Sequence, residues 1–273
     1  MNTYRKTALV TGSTDGVGRV VAKGLGEKGI RVLVHGRDRD RGERVVAEIL
    51  DRGGTAEFIL ADLAALAEVR RLANAVRDRT DRLDILVNNA GIGTAGAERQ
   101  ESADGHELRF AVNYLAGFLL TRLLLPLLKR SAPARIVNVS SAGQQAIDFS
   151  DVMLTCGYSG QRAYCQSKLA QILFTIDLAE ELKGASITAN CLHPATFMNT
   201  TMVRRTGVKP LSTVEQGADA ILKLALSPSL EGQSGLYFNG QSEAKANAQA
   251  YDVAARRRLR AVSFELAGLR EGT

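Results

Sequence analysis

The chain has 273 residues, a formal net charge of +6 and 45% hydrophobic residues, as in a globular protein with a sizeable core. Its three cysteines lack Cys-x-x-Cys spacing, which argues against a disulfide framework and against a metal site. The first apolar run begins at residue 7, and the longest apolar-rich stretch, residues 115–128, is short and contains Arg122 and Pro126. These features argue against a signal peptide and a membrane anchor, so we expect a cytoplasmic protein.

Short β-branched runs alternate with longer helical patterns, which is typical of a parallel sheet wound with helices. Strands are predicted over residues 7–11, 31–35, 56–60, 85–88, 135–140, 186–192 and 235–238. Helices are predicted over residues 17–28, 41–52, 65–78, 103–125, 162–183, 213–226 and, at the C-terminus, about 243–259. No repeat or linker divides the chain, so we expect one α/β domain over residues 1–273. Its sheet should be doubly wound, mainly parallel and seven-stranded, with helices on both faces.

A glycine-rich turn, Thr-Gly-Ser-Thr-Asp-Gly-Val-Gly at residues 11–18, joins the first predicted strand to the first predicted helix. Glycines allow a tight turn and close backbone approach, and a helix N-terminus favours negative charge, so this arrangement predicts a pyrophosphate site. A glycine-rich turn without a ligand is the alternative. The expected cofactor contacts in this turn are Gly12, Ser13, Thr14, Asp15, Gly16, Val17 and Gly18.

The end of the second predicted strand bears on the ribose of a dinucleotide. An acidic side chain there typically holds a free 2′-hydroxyl, whereas a 2′-phosphate needs an arginine. Gly36 occupies the acidic position and Arg37 follows it, whereas Asp38 and Asp15 argue in the other direction. We expect NADP(H) with Arg37 as a contact, and NAD(H) is the alternative.

Residues after the third and fourth predicted strands are expected at the same cofactor site. Asp62 could accept a hydrogen bond from an adenine amino group, although a cap for the next helix is the alternative. Asn-Asn-Ala-Gly at residues 88–91 has small residues that let the backbone pass close to a cofactor, and asparagines that can tie strand ends together. The expected contacts here are Asp62, Leu63, Asn89, Ala90 and Gly91.

Four polar side chains form a candidate catalytic set. Tyr164 and Lys168 lie four residues apart on one helix face, where the ammonium should lower the phenol pKa and allow proton transfer near neutral pH. Ser141 follows the fifth strand and can donate a hydrogen bond to a carbonyl oxygen, although turn serines are the alternative. Asn113 interrupts an apolar helix and could hold a water in a proton relay, or pair with the asparagines at residues 88–89.

The loop that follows the sixth predicted strand is expected over the nicotinamide end of the cofactor, with Pro194 and Thr196 as contacts. His193 is a candidate general base, but its place between a strand and a proline favours a structural role. Cys165, beside the key tyrosine, is interpreted as a reduced small residue. The basic run at residues 256–260 is interpreted as a solvated helix face, not as a nucleic-acid or lipid site.

Together these motifs resemble the short-chain dehydrogenase/reductase family over nearly the whole chain, from residue 7 to about residue 238. The resemblance rests on the motifs at residues 11–18 and 88–91, on Asn113 and Ser141, and on Tyr164-x3-Lys168. Within the family, the runs at residues 163–175 and 192–194 look most like the retinol-dehydrogenase-like and WW-domain-oxidoreductase-like branch, here as a soluble bacterial-type member.

The resemblance implies a Rossmann-type fold and reversible NADP(H)-dependent reduction of a ketone or aldehyde. Ser141 and Tyr164 would bind the carbonyl oxygen, and Tyr164 would donate the proton. Lys168 would lower the tyrosine pKa and bind the nicotinamide ribose, and Asn113 would hold a water. The family is often dimeric or tetrameric, and the sequence leaves open whether this chain forms a homo-oligomer. The rival interpretations are an epimerase or dehydratase of the extended branch and a non-enzymatic NADP(H) sensor.

Two departures from the family pattern lie on the substrate side. Ala195 replaces the glycine that usually follows this proline, and Ser141 and Tyr164 are 23 positions apart, more than in most compact members. The insertion at residues 144–161 and the loop at residues 197–211 are expected to form the substrate walls. Four residues of the insertion suggest an apolar lining, and hence an apolar small-molecule carbonyl or alcohol: Ile147, Phe149, Met153 and Leu154.

Overall fold

The structure, a computed structural model, describes residues 6–96 and 98–270, and a single sheet runs through them. Its strands are β1 (Thr7–Val10), β2 (Arg31–Gly36), β3 (Thr55–Leu60), β4 (Ile85–Asn88), β5 (Ala134–Val139), β6 (Ile187–His193), β7 (Tyr237–Asn239) and β8 (Ser242–Ala244). The order is β3-β2-β1-β4-β5-β6-β7-β8. All neighbours pair in parallel except β7 and β8. The predicted mainly parallel sheet is confirmed, with an eighth, antiparallel strand added at one edge.

Helices cover both faces of the sheet, as predicted. They are α1 (Gly16–Glu27), α2 (Arg39–Leu50), α3 (Leu66–Arg79), α4 (Ala116–Arg130), α5 (Gly160–Glu181), α6 (Thr201–Arg204), α7 (Val214–Leu226) and α8 (Val253–Leu266). A π-helix, Phe110–Leu115, directly precedes α4, and 3-10 turns lie at Pro228–Leu230 and Ala248–Tyr251. One apolar core cluster includes residues of α1, α2 and α7, and a second includes residues of α3, α4, α5 and α8.

The first and fourth strands lie at the centre of the sheet, which explains why their sequences are mostly apolar. All four residues of β1 and of β4 are buried, because helices cover both faces of a parallel sheet. The strand order changes direction between these two strands, since β2 lies on one side of β1 and β5 on the other side of β4. In open α/β sheets, ligands bind beyond the carboxyl ends of the strands at such a switch point.

Two predicted helices have wrong bounds because local turns interrupt them. The helix expected over residues 103–125 begins at residue 110, since Gly105 has a φ of +78° and the Ser102 hydroxyl accepts hydrogen bonds from two following backbone N–H groups. The helix expected over residues 243–259 is replaced by β8, a 3-10 turn and α8. Gly240, with a φ of +59°, lies in the short connection between β7 and β8.

The π-helix and α4 together form a continuous helix of 21 residues with a mean hydropathy of 1.6 in its most apolar window. Pro126 lies inside this helix, so the apolar stretch is longer than its sequence suggested. By length and composition the helix could cross a membrane, but 72% of that window is buried in the fold. Burial to that degree is typical of a core helix.

Candidate functional site

The glycine-rich turn lies between β1 and α1, at the switch point of the sheet. Gly12 and Gly16 have φ values of +63° and +53°. A Cβ atom at Gly18 would lie 2.3 Å from Asn89 Nδ2 and 2.4 Å from the Gly12 carbonyl oxygen, so only glycine fits where α1 meets the loop after β4. This close approach and the N-terminus of α1 fit the pyrophosphate of a dinucleotide.

The turn is braced from behind by β2. The Gly12 N–H donates to His35 Nδ1 at 3.1 Å, and Ser13 Oγ accepts from the His35 N–H at 3.0 Å and donates to the Val10 carbonyl at 2.8 Å. Burial lowers the pKa of His35 to about 4, so the ring is neutral at pH 7 and can accept at Nδ1. The side chain of Ser13, a predicted cofactor contact, is therefore turned inward, where it supports the loop.

Two asparagines at the carboxyl end of β4, Asn88 and Asn89, connect three strands. Asn89 Nδ2 donates to the carbonyl oxygens of Thr11 and Gly12 at 2.8 and 3.1 Å. Asn88 Nδ2 donates to Asn138 Oδ1 on β5 at 2.8 Å and to a threonine hydroxyl on α4 at 3.0 Å. The amides thus hold β1, β4 and β5 together, and they are not the partners of the helical asparagine in the catalytic set.

At the end of β2, position 36 has no space for an acidic side chain, whereas the neighbouring Arg37 is exposed. A Cβ atom at Gly36 would lie only 2.4 Å from Thr14 Cγ2. Arg37 is exposed and makes no hydrogen bond or ion pair with any described residue. Asp62 accepts the Ala64 N–H at 3.0 Å and so forms a local turn after β3, close to its alternative interpretation as a cap.

The two acidic residues that favoured NAD(H) are both paired with one arginine. Arg41 lies 3.6 Å from a carboxylate oxygen of Asp15 and 3.4 Å from one of Asp38. All three side chains are about half exposed, so the ion pairs contribute little stability. They nevertheless offset the negative charge that these carboxylates would otherwise place near the ribose end of the site.

Tyr164 and Lys168 lie on one face of α5, beside the carboxyl end of β5. Lys168 Nζ is 5.8 Å from the centroid of the Tyr164 ring. The ammonium donates to the Val139 carbonyl at 2.8 Å and to Gln171 Oε1 at 2.9 Å. Ser140 Oγ donates to the Lys168 carbonyl at 2.7 Å, which fastens α5 to the strand end.

Burial dominates the ionisation of this pair. It lowers the pKa of Lys168 to about 7, and it raises the pKa of Tyr164 above its ordinary value. The expectation that Lys168 lowers the tyrosine pKa is therefore wrong here. The ammonium donates to two neutral acceptors, and desolvation by burial is the largest effect on the pKa of Tyr164.

Ser141 is the serine that reaches the tyrosine. Both side chains lie near Gly143, and the Ser141 hydroxyl lowers the pKa of Tyr164 against the larger effect of burial. The same oxygen accepts the Gly143 N–H at 3.0 Å. The Ser141 carbonyl is held by Gln144 Nε2 at 3.0 Å and by the Tyr237 hydroxyl at 3.2 Å, so both ends of this residue are fixed.

Asn113 lies in the π-helix, a feature that is frequent at functional sites. Its Oδ1 accepts the Ile92 N–H at 2.7 Å, and its Nδ2 donates to the Ile92 carbonyl at 3.2 Å and to Ser167 Oγ at 2.9 Å. A Cβ atom at Gly91 would lie 3.2 Å from Asn113 Oδ1 and 3.5 Å from Lys168 Nζ. The glycine therefore allows these two side chains to approach the loop after β4.

The loop after β6 continues along the same edge of the sheet. Pro194 is buried and Thr196 is exposed, and Thr196 Oγ1 lies 3.1 Å from His193 Nε2. Burial and the nearby charge of Lys168 both lower the pKa of His193. The contact with Thr196 holds the His193 ring in place.

Residues 197–211 reach back to the glycine turn and to the loop after β4. Thr201 Oγ1 donates to Asp15 Oδ2 at 2.8 Å, and a Cβ atom at Gly93 would lie 2.7 Å from Met202 Cγ. Four large apolar side chains of this segment are exposed, by 36 to 71%: Phe197, Met202, Val208 and Leu211.

The insertion at residues 144–161 does not have the predicted apolar lining. Ile147 and Leu154 are buried, and Phe149 and Met153 pack against the core cluster on the α5 face of the sheet. These side chains anchor the insertion to the body of the protein. Among the described residues of the two predicted substrate walls, exposed large apolar side chains lie on the loop after β6.

A depression of about 900 Å³ lies elsewhere, at the amino ends of β5 and β6. Its lining includes Arg135, Lys183 and Thr188, and none of the predicted site residues. Because parallel strands place their functional ends at the opposite edge, we assign the site to the converging side chains described above.

The short chain dehydrogenase family model matches residues 6–210. The chain belongs to the short chain dehydrogenases. Human retinol dehydrogenases 14 and 11 are each 38% identical to it, over 97% of this chain and 87% and 86% of theirs. The Pseudomonas aeruginosa RhlG/NADP active-site complex is 32% identical, with a TM-score of 0.70. The landomycin C-6 ketoreductase LanV with bound NADP and rabelomycin is 28% identical, with a TM-score of 0.69. Each structure covers 86% of this chain, and the match covers 94% of that structure.

In this short chain dehydrogenase, three residues that hold the site in place were not singled out by the sequence patterns. They are His35 behind the glycine turn, and Ser140 and Gln171 around Lys168. The signal that could have identified them is a polar residue within an otherwise apolar strand or helix, as was used for Asn113. Gln171 lies on a helix in which 16 of 22 residues are buried, and that burial becomes visible only in the fold.

Proposed function

We propose that this short chain dehydrogenase interconverts a ketone or aldehyde and an alcohol with NADP(H), with Tyr164 as acid and base. The observation that carries the proposal is the convergence of Tyr164, Ser141 and Lys168 at the carboxyl edge of the sheet, beside the glycine turn. When bound, the nicotinamide supplies or accepts the hydride.

The protein's own residues bind the substrate oxygen and move its proton. The hydroxyls of Ser141 and Tyr164 hydrogen-bond the carbonyl oxygen. Burial raises the tyrosine pKa, so the phenol is protonated at neutral pH and can donate its proton as negative charge develops on that oxygen. We assign Lys168 to the nicotinamide ribose, and Asn113 fixes the loop after β4, which faces Lys168.

NADP(H) is preferred to NAD(H) on three grounds. The acidic position is a glycine with no room for a side chain, and Arg37 has no protein partner among the described residues. The nearby carboxylates of Asp15 and Asp38 are both paired with Arg41. Two similar proteins of known structure are described with NADP.

The substrate we propose is an apolar carbonyl compound or alcohol. The relatives at 38% identity are retinol dehydrogenases, and one similar structure holds rabelomycin. The exposed apolar side chains of residues 197–211 offer a matching surface beside the site. Retinal and a graded set of aromatic ketones are therefore suitable first substrates.

The test is a cofactor titration followed by turnover with these carbonyl compounds. We expect tight NADPH binding and loss of NADPH absorbance with at least one apolar substrate. Tyr164→Phe should keep NADPH affinity but lose about 100-fold or more in kcat, because general acid catalysis typically contributes about 10²- to 10⁴-fold.

The matched control is Tyr251→Phe, which changes a tyrosine that is 47% exposed and outside the site. It should keep full activity. Near-normal turnover by Tyr164→Phe would contradict the assignment of the acid, and NADPH binding without turnover on any carbonyl would favour the sensor.

A further inference from the structure

Gln171 makes a direct contact with the ammonium of Lys168. It lies three residues further along α5 and is 4% exposed. Its Oε1 accepts a hydrogen bond from Lys168 Nζ at 2.9 Å, and the Val139 carbonyl accepts another at 2.8 Å. An ammonium has three N–H groups, so two of them are bound to uncharged acceptors of the protein.

We infer that Gln171 is a positioning residue that keeps the ammonium of Lys168 charged and fixed at the end of β5. The inference rests on the proposed function, because it matters for catalysis only if Lys168 takes part in the reaction. Gln171 would act through Lys168, since its amide oxygen accepts a hydrogen bond from the ammonium.

The ammonium depends on neutral acceptors because none of the residues that the structure describes brings a carboxylate to face it. From its own helix it meets Tyr164, and from β6 it meets His193, whose pKa it lowers. The π-helix and the loop after β4 approach it with neutral groups, Asn113 and Gly91. Burial brings the pKa of Lys168 to about 7, so its charge near neutral pH is sensitive to every acceptor it has.

Gln171 is itself held in place by a buried polar network. The backbone carbonyl of Gln171 accepts a hydrogen bond from Thr175 Oγ1 at 2.7 Å. Thr175 Oγ1 in turn accepts a hydrogen bond from Asn138 Nδ2 at 2.8 Å. Asn138 Oδ1 in turn accepts from Asn88 at the end of β4. The network connects α5 to β4 and β5 through Thr175, one helical turn after Gln171, so the backbone that carries the Gln171 side chain is fixed.

Two substitutions test the inference in opposite directions. Gln171→Leu removes the acceptor at similar volume, and we expect the pKa of Lys168 to fall by about one unit. Gln171→Glu places a carboxylate at the same point, and we expect that pKa to rise by about one unit or more. The readout is the ¹³C chemical shift of the lysine ε-carbon as a function of pH, assigned by its loss in Lys168→Met.

The same variants should move the alkaline limb of the kcat profile in the same directions, to lower pH for leucine and to higher pH for glutamate. The control is Gln166→Leu, which removes a glutamine of equal burial on the same helix that contacts the backbone of Asp148. It should leave the titration of Lys168 unchanged.

The NMR titration needs neither cofactor nor substrate, so it distinguishes this inference from the proposed function. If no carbonyl compound is turned over but the two variants shift the lysine titration, the proposed function fails and the contact stands. If Lys168 titrates at the same pH in both variants and in the unmodified protein, the inference is overturned. Should the leucine variant fail to fold, the glutamate variant, which is equal in size and polar, decides alone.

Discussion

At the scale of single residues, two arginines divide the positive charge near the ribose end of the site. Arg41 is engaged by Asp15 and Asp38, whereas Arg37 has no partner among the described residues. Arg37 is therefore available to a 2′-phosphate without breaking an existing ion pair, whereas Arg41 is not. This division resolves the conflict between acidic and basic residues that the sequence presented.

Arg37→Ala should weaken NADPH binding and leave NADH binding unchanged. A hydrogen bond to a charged group contributes about 1.5–3 kcal/mol, which corresponds to about 10- to 100-fold in affinity. Titrations with both nucleotides measure the difference. Arg39→Ala serves as control, because it removes an exposed arginine of the same region that is paired with Glu43. An equal loss for both variants would mean that general positive charge, and not Arg37, selects the cofactor.

The candidate catalytic residues could be placed from the sequence, whereas their ionisation could not. Tyr164 and Lys168 fall on one helix face by spacing alone, and Ser141 follows from its distance along the fifth strand. The pKa of Tyr164, however, depends on whether burial or the neighbouring charge is the larger effect, and burial is a property of the whole fold. Gln171 was not found for the same reason, since a glutamine in a helix usually faces solvent.

At the scale of elements, the junction between the glycine turn and the loop after β4 tolerates no side chain. Gly18→Ala would place Cβ within 2.4 Å of the Gly12 carbonyl, so the turn or the loop must move. We expect at least a tenfold loss of NADPH affinity and a loss of about 1–3 kcal/mol in the free energy of unfolding. Isothermal titration and urea denaturation measure the two effects.

The comparison variant is Gly24→Ala on the same helix, α1. Its Cβ would meet only the flexible end of Leu222, at 2.9 Å, and alanine favours the helix. NADPH affinity should be unchanged. If Gly18→Ala bound NADPH as well as this variant does, the turn would not be the pyrophosphate site.

The sequence predicted the strands better than the helices that follow loops. Buried parallel strands appear as unbroken apolar runs, and the bounds of β4 were predicted without error. The long central helix was predicted to begin too early because the Ser102 turn and Gly105 delay its start. The strand predicted at residues 235–238 overlaps β7, whereas β8, which has three residues, was predicted as the start of a helix.

At the scale of the whole molecule, α8 covers the outer surface of α4 and α5. Phe264 packs edge-on against Phe118 at 5.4 Å, and the Tyr114 hydroxyl lies 2.6 Å from Ser263 Oγ. The basic run of α8 is only partly the solvated face that its sequence suggested, since Arg257 and Arg258 are exposed but Arg256 is buried.

Arg260→Ala should lower the stability of the protein. Arg260 donates two hydrogen bonds to Asp177, whose side chain is only 6% exposed, so the substitution leaves a buried carboxylate without this partner. Because Arg260 is 30% exposed and water can enter, we expect a loss of about 1–2 kcal/mol in the free energy of unfolding, measured in urea. Arg257→Ala, an exposed neighbour, should change stability by less than about 0.5 kcal/mol. Equal losses would contradict a specific role for the ion pair.

The hydrogen bond between Thr201 and Asp15 joins two parts of the site that are expected to bind different molecules. It connects the proposed substrate wall to the turn that fits a dinucleotide. Because a movement of this wall away from the turn must break the bond, we expect the exchange of the nucleotide and the exchange of the substrate to be coupled in rate.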